Sequence, residues 1–378
     1  MRNWIILGIV LAIAASIIVF LAGPIQRVFF LPRTPKDARS SYKTTEKDDE
    51  AQSVPEVVAT DLHIPWEIEF LPGGDLLVTE RPGDLVRIDK DSKKRIEISG
   101  VEHIGEGGLL GLALHPEYER NGYIYLYLTT STEEGLTNRI ERHRLDKNTL
   151  SNRKIVFDGI PGARFHDGGK IEFGPDGYLY VTTGDAGNEN AAQDISSLSG
   201  KMLRIHDDGS IPENNPFNNA VWSYGHRNPQ GLVWDSNDQL WSAEHGPSGL
   251  ETGNDEVNLI KRGGNYGWPV IRGRELADGM ESPVIESGKD ETWAPAAIAV
   301  VQDRVFFTGL RGEALYSAEI EGERLVNLKR NFFGQFGRLR ALKLGPDGYL
   351  YMSTSNTDGR GESREGDDKI IRVDPKKL

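Results

Sequence analysis

From Val54 onward the chain runs in short stretches of alternating apolar and polar residues, each introduced by a turn dipeptide. One unit recurs six times. It reads LPGGDLLVTE from Leu71, RNGYIYLYLT from Arg120 and GPDGYLYVTTGD from Gly174, then WDSNDQLWSAEHG from Trp234, VQDRVFFTG from Val301 and GPDGYLYMSTSN from Gly345. The Asp-Gly, Asn-Gly and Gly-Gly pairs supply the positive φ of tight hairpin turns. The alternating residues that follow fit strands with two distinct faces. After most units comes a further strand ending in a polar turn, as in DLVRIDKD, KMLRIHDDG and KIIRVDP. Units recur at roughly 45 to 65 residues, which suits a four-stranded blade with insertions. The pattern predicts an all-β fold, a six-bladed β-propeller of four-stranded antiparallel blades. VPEVVATDLHIPWEIEF precedes the first unit and IIRVD stands at the very end. One is expected to complete the other's blade and so remove the open sheet edges. Two β-sandwich domains are the alternative, but sandwiches rarely repeat one turn-strand signature six times.

Ahead of the repeats lies a different pattern. Trp4 to about Gly23 is an unbroken apolar run, long enough to cross a bilayer core of about 30 Å as a helix. It is longer than the apolar region of most signal peptides and no clean cleavage site precedes Pro24, so an uncleaved transmembrane helix is expected over a removed signal. A cleaved, secreted form is the alternative. Arg27, Arg33, Lys36, Arg39 and Lys43 outnumber Arg2 and the amino terminus, which by charge alone puts the downstream side in the cytoplasm. From Arg33 to Ser53 the chain is polar, charged and patternless, as a tether would be. The expected organisation is an anchor or signal segment over 1–32, a linker over 33–53 and a propeller over 54–378.

Composition changes the picture in two places. The 378 residues carry a formal charge of −13, which argues against a nucleic-acid partner, since phosphate binding needs a basic face. There is no cysteine, so disulfides, thiolate metal sites and Cys nucleophiles are excluded. The 43 glycines and 19 prolines agree with many short strands joined by tight turns.

In a propeller the loops of several blades converge over the central channel, so chemistry is sought in turns between strands. His166, in RFHDGGK, suits a general base, although a histidine satisfying a turn is the commoner case. Asp185, in TTGDAGN, could orient an imidazole or simply form an Asx-turn. Arg227 and Asn228, in YGHRNPQG, offer donors for an oxygen gaining negative charge, or a rigid turn. Gly246 and Pro247 expose carbonyls near Asp255 and Glu256, an oxygen-rich neighbourhood that suits calcium but lacks EF-hand spacing. Arg311, Arg338 and Arg340 could clamp a carboxylate-bearing ligand or be solvated surface charges.

Taken in order, GEGGLLGLALHP, HDGGKIEFGPDG, TTGDAGN, YGHRNPQGL, EHGP, DEVN, NYGWP and FGRLRALKLGPDG resemble the soluble glucose and aldose sugar dehydrogenases that use pyrroloquinoline quinone (PQQ), over about Val54 to Pro375. The resemblance implies a six-bladed propeller with PQQ and calcium that oxidises an aldose at its anomeric carbon to a lactone. It implies His166 as the base taking the anomeric hydroxyl proton, Asp185 as its orienting acid, and Arg227 with Asn228 on the reacting quinone oxygen and the substrate. It implies Arg338, Arg340 and, less closely, Arg311 on the cofactor carboxylates, with Gly246 and Pro247 as calcium ligands beside PQQ. Glu256 and Tyr266 match a further calcium site. The same resemblance puts the catalytic domain outside the cytoplasm, against the charge rule. It also implies a respiratory-chain or dye-like electron acceptor and is compatible with a homodimer.

Three positions depart from the family pattern. Glu106 stands where the family commonly has a glutamine near cofactor and substrate. A carboxylate there would favour the protonated form of His166 or disfavour an anionic reduced cofactor. Arg311 replaces a usual lysine. The stretch from Lys289 to Pro295 lacks an aromatic-proline pattern, which brings the chain nearer the aldose branch. A metal-dependent lactonase and a non-catalytic binding module are the competing functions, because propellers host both.

Overall fold

The computed structural model describes residues 53–247 and 252–378. Among them, strands β1 to β24 form six four-stranded antiparallel sheets, as the repeat predicts. β1 (Glu56–Ala59) comes first in the chain but closes the last blade. Blade one is β2 (Pro65–Phe70), β3 (Leu76–Glu80), β4 (Asp84–Ile88) and β5 (Lys93–Glu97). Blade two is β6 (Leu109–Leu114), β7 (Tyr123–Thr132), β8 (Gly135–Asp146) and β9 (Thr149–Pro161). Blade three is β10 (Ile171–Phe173), β11 (Leu179–Thr183), β12 (Lys201–Ile205) and β13 (Val221–Tyr224). Blade four is β14 (Pro229–Trp234), β15 (Leu240–Glu244), β16 (Glu256–Ile260) and β17 (Ile285–Glu286). Blade five is β18 (Pro295–Val301), β19 (Arg304–Gly309), β20 (Ala314–Glu321) and β21 (Arg324–Asn331). Blade six is β22 (Leu339–Leu344), β23 (Leu350–Thr354) and β24 (Ile370–Val373), with β1 as its fourth strand.

The repeated unit is the second strand of every blade, and the strand after it is the third. Its turn has a local cause. The Asp176 and Asp347 carboxylates accept from Tyr180 and Tyr351, each four residues on, at 2.9 Å. Gly177 and Gly348 take the positive φ that these turns need, both at 80°. In blade four Asp235 does the same job for the Trp241 indole at 3.0 Å.

Ring closure joins the two ends of the propeller sequence. Val57 pairs with Ile371 and Glu56 with Arg372, whose guanidinium lies 2.7 Å from the Glu56 carboxylate. Ser53 already belongs to this blade: it is buried and its hydroxyl accepts from the Asp374 amide at 2.8 Å.

Apolar side chains pack between blades as well as within them. One cluster joins Phe306 and Leu315 of blade five to Leu339, Leu350 and Met352 of blade six. Each such fully buried side chain contributes about 1.5–3 kcal/mol. β2, β6, β10, β14, β18 and β22 contact one another from blade to blade and therefore line the centre. Along the channel they carry charge. Lys170 donates to Glu67 at 2.6 Å, and Lys343 joins Glu69 and Glu172. Burial, partly offset by Lys343, pushes the Glu69 carboxyl up to about 7.

The expected anchor over 1–32 and nearly all of the linker lie outside the described residues. Among the described residues no helix is long and apolar enough to cross a membrane.

Candidate active site

Topology brings the polar turns to one rim. The N-terminal ends of the innermost strands and the C-terminal ends of the second strands meet there. Arg81 follows β3, Glu106 precedes β6, His166 precedes β10 and Asp185 follows β11. Arg227 and Asn228 precede β14, His245 and Gly246 follow β15, Arg338 precedes β22 and Asp358 follows β23. The channel ion network lies deeper along the same strands.

At the centre of this rim His166 Nδ1 sits 2.7 Å from Asp185 Oδ1. The other Asp185 oxygen accepts from the Trp268 indole at 2.9 Å, and Oδ1 also accepts the Gly187 amide at 2.8 Å. Burial opposes ionisation of Asp185, but the His166 hydrogen bond and charge, the Gly187 amide and Arg227 outweigh it and hold the carboxyl below its ordinary range. A carboxylate on Nδ1 fixes the proton there and leaves Nε2 as the basic nitrogen. His166 has φ of 63°, the left-handed region that a side chain adopts only when its surroundings impose it. The surroundings here are explicit. The Glu106 carboxylate accepts from the His166 amide at 3.0 Å, and the His166 carbonyl accepts from the Ala186 amide at 3.2 Å. Gly184 must be glycine, since a Cβ would stand 1.9 Å from that carbonyl oxygen.

Arg227 and Asn228 border the same space. The Arg227 amide donates to Glu244, its carbonyl accepts from the Asp185 amide at 2.8 Å, and its guanidinium lies 5.4 Å from the Trp268 ring centroid. The Asn228 side-chain oxygen accepts from Gly168 at 3.0 Å, which leaves its amide nitrogen buried without a partner. His245 Nε2 and Arg340 Nε are also buried and unpartnered. Burial, together with Arg340, Arg227 and His166, holds the His245 imidazole down at about 3, so the ring is neutral. Burial and then the neighbouring Arg81 depress the Arg340 guanidinium to about 9. Arg81, Arg227, Arg338, Arg340 and Arg360 stand here among Glu106, Asp185, Glu244, Asp255 and Asp358. Two of the donors, Asn228 Nδ2 and Arg340 Nε, have no acceptor, which suits a ligand rich in oxygen.

The model for the family described as glucose / sorbosone dehydrogenase matches residues 62–371. The chain belongs to that family. Aldose sugar dehydrogenase YliI of Escherichia coli is 30% identical over 361 residues, covering 85% of this chain and 92% of the relative. A Thermus thermophilus oxidoreductase described as a glucose dehydrogenase superposes with a TM-score of 0.81 at 42% identity, over 85% of this chain and 99% of the other. The PQQ-bound aldose sugar dehydrogenase of Streptomyces coelicolor does so at 0.78 and 39%, over 86% and 99%.

Against the family's pattern, the expected residues divide. His166, Asp185, Arg227, Asn228, Glu106 and Arg340 converge. Arg338 is nearby, but its guanidinium already binds Asp358 at 2.9 and 3.1 Å and the Leu310 carbonyl at 3.2 Å. Arg311 is exposed, and its backbone amide is tied to the Trp293 carbonyl. Gly246 is held by the buried Asp255, which accepts its amide at 2.8 Å, and a Cβ there would meet the Asn254 and Gly253 carbonyls at 2.3 Å. Pro247 follows it, also buried. Glu256 is aligned across three strands with Glu244 and Glu286. Burial, then Glu244 and Glu286, raise its carboxyl well above the usual range. The Tyr266 hydroxyl is spent, donating to Leu259 and accepting from Lys261, so only its backbone remains for a metal. Among the described residues no three His, Asp or Glu side chains form a ready metal cage. Arg81, His245, Trp268, Asp358 and Arg360 were not anticipated. Trp268 stands in the NYGWP motif and His245 in EHGP, so those two had a signal.

Proposed function

We propose that the protein oxidises aldose sugars at the anomeric carbon to lactones, with PQQ as cofactor and calcium beside it. The observation that carries this reading is the His166–Asp185 couple, set among buried polar atoms of Asn228, His245 and Arg340 that have no partner, in a sugar-dehydrogenase-family chain. When bound, the quinone supplies the hydride acceptor. The chain's own residues do the rest. Asp185 keeps the proton on His166 Nδ1, so that Nε2 can take the anomeric hydroxyl proton. Asp185 also stabilises the imidazolium that results, with Trp268 holding the second carboxylate oxygen in place.

The residues present fit the cofactor. The Asn228 amide, Arg340 Nε and the Arg227 guanidinium are donors for quinone and carboxylate oxygens, while Arg338, committed to Asp358, serves as a second-rank positive charge. Arg311 would reach the cofactor only through rearrangement of its exposed side chain. Gly246 and Pro247 would offer carbonyl oxygens to calcium. Glu256, with Glu244 and Glu286 beside it, is a concentration of negative charge that a second cation would relieve, with Tyr266 taking part through its backbone. The apolar run from Trp4 to Gly23 would tether the domain on the outer face of a membrane, where electrons can reach a respiratory acceptor. The test is reconstitution of the protein with PQQ and calcium, following dye reduction on adding aldoses. Turnover requiring both additions is expected; absence of both PQQ binding and turnover overturns the reading.

A further inference from the structure

Glu106 borders the turn that carries His166, and the structure shows a companion residue on a distant blade. Arg360, in the loop after β23, donates through Nη1 to Glu106 Oε1 at 2.8 Å. Its guanidinium carbon lies 5.8 Å from the ring centroid of Phe165, the neighbour of His166. The other carboxylate oxygen, Oε2, accepts from the His166 amide, and the Glu106 amide donates to the Arg164 carbonyl at 2.9 Å. Glu106 is therefore zipped to both sides of the turn that presents the imidazole. The Arg360 end is itself anchored. Asp358 Oδ1 accepts from the Arg360 amide at 2.9 Å, while Asp358 Oδ2 binds Arg338. Gly361 packs so tightly against Arg338 and Asn356 that a Cβ would meet both at 2.8 Å.

We propose that Arg360 is a positioning residue for the base: by holding Glu106 Oε1 it aims Oε2 at the His166 amide and keeps His166 in its left-handed conformation over the substrate. The idea rests on the sugar oxidation proposed above. Charge makes the pairing selective. A carboxylate can accept from Arg360 and from the His166 amide at once, because both of its oxygens are acceptors. A glutamine cannot, because its NH2 would face one of those two donors. Conversely, without Arg360 the mostly buried carboxylate is left with less compensation and is free to swing toward the ligand. Glu106 and Arg360 thus form a matched pair.

The experiment uses the full chain and four versions: wild type, Arg360→Ala, Glu106→Gln and the double variant. Arg360→Ala is expected to lower kcat at least tenfold, with a smaller change in sugar KM. The double variant should recover at least threefold over Arg360→Ala, and Arg360→Lys should recover part of the loss. In the cofactor-free proteins, hydrogen exchange of the segment 163–169 should speed up in Arg360→Ala and slow again in the double variant. Independent, multiplying losses in the double variant, or an Arg360→Ala protein equal to wild type in both rate and exchange, would overturn the proposal. If wild type neither binds PQQ nor oxidises sugars, the functional reading fails instead. The exchange data then still decide whether the pair holds the His166 turn.

Discussion

Asp185→Asn tests the catalytic couple most directly. The carboxylate accepts from three donors: His166 Nδ1, the Trp268 indole and the Gly187 amide. An asparagine keeps one acceptor oxygen and replaces the other by an NH2 donor. If its oxygen faces Trp268, the NH2 faces His166 Nδ1, and the ring must carry its proton on Nε2, where it cannot act as a base. If the oxygen faces His166, the NH2 opposes the indole N–H and the side chain is pushed off its site. Either way the charge that stabilises the imidazolium is gone. Loss of one hydrogen bond to a charged group is worth about 1.5–3 kcal/mol, and misplacing a general base costs about 100- to 10,000-fold in rate. We expect kcat to fall by at least about 100-fold, with PQQ affinity little changed, since Asp185 lies behind the imidazole. The folded-state carboxyl is held below its ordinary range. Its stabilising contribution is therefore complete above the unfolded pKa near 4 and is lost as pH falls through the folded value. The melting temperatures of wild type and variant should accordingly converge in acid. Dye-coupled kinetics at saturating PQQ, with melting curves at neutral and acidic pH, make the measurement. A kcat within fivefold of wild type would refute the role assigned to Asp185.

Arg340→Leu should weaken PQQ binding at least tenfold in a fluorescence titration while leaving the melting temperature equal or higher, because the guanidinium is buried with Nε unpartnered. Glu141 is buried and holds Arg139, Arg153 and His143 at 2.7–3.0 Å; Glu141→Gln should cost about 3–5 kcal/mol in neutral denaturant titrations. Burial opposes its ionisation, but His143 and the two arginines hold its pKa at about 2, so that loss should shrink as pH falls from about 4.5 toward 2. Calcium should raise the melting temperature of wild type, and less so that of Glu256→Gln, because Glu256 shares its surroundings with Glu244 and Glu286; equal shifts in the two proteins would remove Glu256 from the metal site.

The fold was legible because each blade announces itself locally. A GPDG turn followed by an alternating aromatic strand needs only a few residues to declare itself, as the Asp176–Tyr180 and Asp347–Tyr351 contacts show. Closure by β1 was open to anticipation because a strand-like segment stood at each end of the repeats. The gathering of His166, Asp185, Arg227 and Asn228 was open to anticipation for another reason: the motifs that hold them resemble those of the sugar dehydrogenases. What escaped lies in side-chain pairings that no local pattern announces. Arg360 sits in SNTDGRGES, a polar loop with no periodicity, and reaches Glu106 across 254 residues of sequence. Asp358 takes the guanidinium of Arg338 across 20 residues within one blade, so an arginine expected to face a ligand is spent inside the protein. The Tyr266 hydroxyl was unreadable for the same reason, being consumed by the backbone of a neighbouring turn.

The site is locally costly, and the way the fold carries that cost bears on what the site is for. His166 and Ala186, with φ of 63° and 51°, occupy a region that costs of order 1–3 kcal/mol per non-glycine residue. Asn228, His245 and Arg340 each bury a polar atom without a partner, at about 1–3 kcal/mol apiece. These features gather on one rim, while the blades beneath them are joined by apolar clusters and closed by the Glu56–Arg372 and Ser53–Asp374 contacts. A ring has no end from which to fray, so strain at one rim can be held without opening a blade. Arg142, Trp222 and Arg304 also bury an unpartnered nitrogen elsewhere, so it is the gathering of Asn228, His245 and Arg340 beside the His166–Asp185 couple that points to a ligand. Binding an oxygen-rich anion there should therefore raise the unfolding temperature by mass action, and Asn228→Ala and Arg340→Leu should each reduce that rise.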